Sequence, residues 1–182
     1  MLLAVLSSVL LAAQSPATGA PANTPPPIEI RAARSNASID VDGVLDEAAW
    51  QAAPVVSEFH QRDPVEGGVP SQRTEVRGLF DDEALYVGAH LYDRSPDSIL
   101  ARLSRRDVSV PADNFTVYLD PYHDQRSGYY FQINAAGTLF DGTLMNDDWD
   151  DNSWDGVWQG RAMKRRHAVT VMLDFKGNVT SR

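Results

Sequence analysis

Trp149, Trp154 and Trp158 stand close together near the C-terminal end of the chain, interleaved with Asp147, Asp148, Asp150, Asp151, Asn152 and Asp155. Sugar recognition needs an aromatic face for the C–H side of a pyranose, with carboxylates or amides for its hydroxyls, and this segment supplies both. Trp149 is the leading stacking candidate, and Trp154, Asp148, Asp150 and Asn152 complete the expected ligand-binding set. Trp154 and Trp158 have a competing use as anchors of the loop on the core, because buried aromatics dominate core energetics.

Other arrangements that could do chemistry are thinner. Asp151, Ser153 and Asp155 ahead of Gly156 copy the first half of a calcium loop, but Ala162 occupies the twelfth position, where a bidentate acid is required. His60, His90, His123 and His167 are scattered, with neither an H-E-x-x-H nor a G-x-S-x-G pattern. His90 falls in phase with strand positions and reads as a structural residue. No Asp or Glu sits in an evidently apolar stretch that would raise its pKa for general acid work. An enzyme is therefore not expected. The absence of cysteine excludes a disulfide framework, a thiol nucleophile and a Cys-based zinc site. A net charge of −9 argues against nucleic acid or an anionic membrane surface as partner, since both need clustered Lys and Arg. Arg102, Arg105 and Arg106 form one local basic run, able to meet a phosphate or an acidic sugar but equally a solvated face.

The elements that must position these residues are strands. Phe115, Val117 and Leu119 alternate with Thr116 and Tyr118, which marks a half-buried strand ended by Asp120-Pro121. Tyr129 to Asn134 and Thr138 to Leu144 continue the meander, with Gly137 at the turn. Upstream, Thr74–Phe80 and Leu85–Tyr92 form a hairpin about Asp81-Asp82-Glu83, and the second strand, apolar on both faces, belongs in the interior of a sandwich. Ser38–Asp42 and Val55–Phe59 read as short strands, and Leu45–Trp50 as a helical turn with Asp46 as N-cap and Trp50 inward. Ser95 onward suggests a short helix, Asn146–Trp158 a loop, and Arg161–Arg166 and Val169–Phe175 the last strands. Short strands with turn signals between them and almost no helix predict an all-β antiparallel sandwich.

The N-terminus has a different character. Met1–Ala13 is apolar but shorter than the roughly 20 residues of a spanning helix, and Ala20-Pro-Ala22 offers a cleavage site, so residues 1–22 are expected to be a signal peptide and the protein exported. Residues 23–35 read as a proline-rich linker, 36–175 as the sandwich and 176–182 as a tail.

Three segments, Ile39–Trp50, Val76–Val87 and Asp113–Asp120, taken in order, resemble the family nine carbohydrate-binding modules. The resemblance implies a jelly-roll-like β-sandwich, without catalysis of its own, attached to enzymes acting on O-glycosyl bonds. It also implies tethering of a larger exported protein to polysaccharide or oligosaccharide, in support of polysaccharide catabolism. Structural calcium around Asp81-Asp82 is implied too, although a plain acidic turn accounts for the same residues. Trp154-Asp-Gly-Val-Trp158 is similar to a divergent branch that precedes an outer-membrane barrel region, which suggests that region as a partner. The chain departs from the sugar-binding members in three places. No aromatic stands between Val108 and Ala112, where they carry a stacking tryptophan, Thr116 replaces a glutamate, and the strands after Phe175 are missing, which implies a sandwich incomplete at its C-terminus. The competing expectation is a structural or interaction module that binds no sugar.

Overall fold

The computed structural model describes residues 29–146, 149–165 and 168–176. The expected signal peptide, residues 23–28 of the linker, Asp148, His167 and residues 177–182 of the tail lie outside the described residues. Within them run β1 (Ala32–Arg34), α1 (Ala48–Ala52), β2 (Thr74–Phe80), β3 (Ala84–Tyr92), β4 (Asn114–Leu119), β5 (Ser127–Asn134), β6 (Leu139–Met145), β7 (Trp149–Asp151), β8 (Trp158–Arg165) and β9 (Ala168–Lys176). The strands form a five-stranded sheet in the order β1-β2-β3-β9-β8 and a four-stranded sheet in the order β4-β5-β6-β7. Neighbours are antiparallel except β1, which joins β2 in parallel.

Alternation along each strand builds the core between the sheets. Phe115, Val117, Leu119, Phe131 and Ile133 of the four-stranded sheet meet Val87, Ala89, Val169, Val171, Leu173 and Phe175 of the five-stranded one. The Phe131 ring lies 4.6 Å from Phe175 and 5.4 Å from Trp158, the latter edge-on, as aromatic quadrupoles favour. β9 is not a terminal strand of its sheet. It is hydrogen-bonded along both edges, between β3 and β8.

A second core covers the opposite face of the five-stranded sheet, where Leu79, Tyr86 and Met172 pack under Trp50, Ile39 and Ala53. Gly88 makes the close approach possible, because a Cβ there would stand 2.7 Å from Leu45 Cδ2 and 2.9 Å from Trp50 Cζ3. Both faces of β3 are thus buried, as its apolar run requires. The cover itself differs from the sequence expectation. Ser38–Asp42 is not a strand, and it brings Ile39 and Val41 onto the sheet as irregular chain. α1 starts after Glu47, without a side-chain cap, and Val55–Phe59 contributes only a bridge from Val56 to Val76. The segment expected as linker also yields β1, whose Ala32 Cα lies against Gly78.

His90 has the structural role expected of it. Its Nδ1 lies 3.1 Å from Thr170 Oγ1 and its ring 4.7 Å from Tyr92, and burial lowers its pKa, with Glu75 opposing and Arg165 and Arg77 assisting. A histidine whose folded pKa is depressed takes up protons more readily when unfolded. Stability should therefore fall as pH drops below about 6.5, the unfolded value, and His90→Gln should flatten that part of a pH series of urea midpoints. An unchanged slope would show that His90 is solvated.

Candidate functional site

The outward positions of the four-stranded sheet carry the site. With Phe115, Val117, Leu119 and Phe131 inward, Thr116, Tyr118, Tyr130, Gln132 and Phe140 take the opposite face. Register then sets Tyr118 beside Tyr130, Thr116 beside Gln132, Gln132 beside Phe140 and Leu144 beside Asp150. A cavity of about 500 Å³ opens over this face, lined by Tyr118, Tyr130, Gln132 and Phe140 at its floor and by Asp107, Ser109, Asp150 and Asn152 among its walls.

Each floor residue is held by a neighbour. Tyr118 is 67% exposed, a large solvent-facing ring on an ordered strand, and lies 6.5 Å from Tyr130 at a tilt of 47°. Tyr130 sits across from Gly142, where a Cβ would come within 2.6 Å of Tyr130 Cε1 and 2.6 Å of the Asp151 carbonyl oxygen. Only glycine leaves room for the ring at that place. Thr116 Oγ1 donates to Gln132 Oε1 at 3.1 Å, fixing the amide. Burial, followed by the charges of Asp150, Asp107 and Asp141, pushes the Tyr130 phenol up, so it stays protonated and able to donate.

The wall beside the floor is an ion-paired strut. Arg106 Nη2 donates to Asp141 Oδ1 at 2.6 Å and to the Gly156 carbonyl at 3.0 Å and pairs with Asp155 at 2.8 Å, while its Nε lies 3.5 Å from Asp107. Asp141 is wholly buried and also accepts the Gly156 amide. Carboxylate oxygens of Asp107, Asp141 and Asp155 lie within 4.8 Å of one another, yet a guanidinium already stands among them. Arg106 is thereby committed to protein carboxylates, which is neither the anion contact nor the solvated face expected of the basic run. Asp107 has a left-handed backbone, φ 59°, a conformation Asp tolerates better than most residues.

The tryptophan-rich segment divides. Asp150 and Asn152 line the cavity. Trp154 lies outside the cavity lining. It is half-buried against Tyr129 at 4.8 Å and Phe131 at 6.0 Å, with its ring over Gly156, which is the loop-anchoring role; buried Trp158 shares it. The Trp149 backbone pairs with Met145 in β7, inside the stretch expected as loop, while its side chain and Asp148 lie outside what the structure describes.

The expected metal ligands are engaged as a turn. Asp81 Oδ1 accepts the Glu83 and Ala84 amides, both at 2.8 Å, and Oδ2 accepts the Tyr86 hydroxyl at 2.9 Å, and these bonds hold the carboxyl below the usual range. Asp82 pairs with Arg34 at 2.6 Å. Calcium takes six to eight oxygens, and the bonds seen here already account for Asp81 and Asp82 as an acidic turn.

Tyr118, Tyr130, Gln132, Phe140 and Asp107 were not anticipated as site residues. The available signal was an aromatic out of phase with the buried alternation, Tyr118 between Val117 and Leu119 and Tyr130 between Tyr129 and Phe131.

No protein-family model and no curated protein matches the chain. Solved structures do. A family 9 carbohydrate-binding module from Caldicellulosiruptor kristjanssonii in complex with cellotriose superposes with a TM-score of 0.55 at 15% identity, over 81% of this chain and 67% of the other. The same source's module in complex with glucose gives 0.55 at 16%, over 82% and 71%. A candidate carbohydrate-binding protein from Bacteroides uniformis gives 0.62 at 12%, over 84% and 75%. The chain shares the β-sandwich fold of these modules.

Proposed function

We propose that the protein is a non-catalytic saccharide-binding module whose ligand site is the cavity over β4, β5, β6 and β7. The observation that carries this reading is the pair of outward tyrosines, Tyr118 and Tyr130, on a sheet face they share with Gln132 and that Asp150 and Asn152 rim. Two rings on a rigid floor offer apolar surface to pyranose C–H groups, and the rim accepts and donates to hydroxyls. The shared fold with modules in complex with cellotriose and glucose supports the same reading. Such a module acts by holding whatever it is attached to against glycan, a task that the export expected from residues 1–22 would serve.

Affinity electrophoresis through gels containing soluble β-glucan or xylan tests it. The protein should be retarded by at least one polysaccharide, and Tyr118→Ala should weaken retention about tenfold, or about 1.4 kcal/mol, without altering the melting temperature. Free migration through every polysaccharide would favour the alternative, an interaction module with no sugar ligand.

A further inference from the structure

The charge around this cavity defines which saccharides it takes. We infer that the site, on the reading that it binds saccharide, prefers amino sugars in their ammonium form over neutral sugars and excludes uronic acids. Asp107 and Asp150 line the cavity, and the lining contains no lysine or arginine among the described residues. The guanidinium of Arg106, which stands in the wall, is already shared by Asp107, Asp141 and Asp155. Three carboxylates set against a single cation leave the wall with an excess of negative charge. The Tyr130 phenol is pushed up first by its burial and then by the charges of Asp150, Asp107 and Asp141.

The consequences follow from elementary electrostatics. A hydroxyl-lined neutral sugar is indifferent to the field. An ammonium at C2 gains a charge-assisted bond to a wall carboxylate. A ring carboxylate meets like charge in a lining that holds no lysine or arginine among the described residues, and like-charge juxtaposition is a standard device of specificity. The gain is modest because Asp150 is exposed, and it is screened by salt.

The test is a calorimetric titration of the full chain with three β-1,4-linked trisaccharides of matched length, glucosamine, glucose and glucuronate, at low and at high salt. At low salt the glucosamine trimer should bind about fivefold more tightly than the glucose trimer, and the glucuronate trimer at least fivefold more weakly. The ratio of the first two affinities should fall toward one in Asp150→Asn and Asp107→Asn, and persist in Glu66→Gln, which removes a remote surface charge. Equal affinities for the three trimers, or a ratio unaltered by both cavity substitutions, would overturn the inference while leaving a saccharide site in place. Failure of every trimer to bind would instead remove the saccharide site on which the inference rests.

Discussion

Replacing Trp50 with alanine is expected to lower the free energy of unfolding by about 3–5 kcal/mol, the range for emptying a buried large aromatic site. For a chain of this length that corresponds to a fall in melting temperature of about 6–20 °C. Trp50 has no exposed surface, and its indole fills the space above Gly88. It seals the second core over Leu79, Tyr86 and Met172, a face of the five-stranded sheet that would otherwise meet water. Because the indole N–H has no hydrogen-bond partner, Trp50→Phe should cost less than the alanine change, since it removes a buried unsatisfied donor along with some volume. Thermal melts followed by circular dichroism check both. A loss below about 1 kcal/mol for Trp50→Ala would mean that the 39–53 cover is not part of the cooperative unit.

The second large effect is expected at Gly142. A methyl group there must displace either the Tyr130 ring or the Asp151 carbonyl, each 2.6 Å from the added Cβ, and the carbonyl is backbone, which yields less readily than a ring. Gly142→Ala therefore acts on the floor and the wall together, since β7 carries Asp150 beside Asp151. Saccharide affinity should fall at least tenfold, with an overpacking cost of about 1–3 kcal/mol in stability. Tyr130→Ala should lose a similar amount of binding, without that overpacking cost. Unchanged retention of Gly142→Ala on the polysaccharide that retards the wild type would detach Tyr130 from recognition.

Much of this architecture is legible in residue order, for a physical reason. A strand with one dry face declares itself by alternation, so β2, β3, β4, β5 and β6 are recognisable from their own residues, and Trp154 and Trp158 could be assigned an anchoring role. What alternation cannot show is pairing. Tyr118 becomes half of a site only when register sets it against Tyr130, and Gly142 acquires meaning only beneath that ring. The Arg106–Asp141 pair joins residues 35 apart, which turns one arginine of the basic run into a strut from its loop to β6. β1 and the 39–53 cover lack a period because they are short or irregular and owe their place to the sheet beneath them. Tryptophan drew attention to the 149–158 segment by its size, although among the described residues the rings facing the cavity are Tyr118, Tyr130 and Phe140 of the floor.

The central claim is that the outward tyrosines of the four-stranded sheet receive a sugar. The most direct measurement is an NMR titration of the isotope-labelled chain with cellotriose, following backbone amides and tyrosine ring signals. The account expects the largest shifts at Tyr118, Tyr130, Gln132 and Asp150, with Trp50 and His90 unmoved. Shifts centred instead on Trp154 and Tyr129, or on a second cavity lined by Leu91 and Phe115, would contradict it.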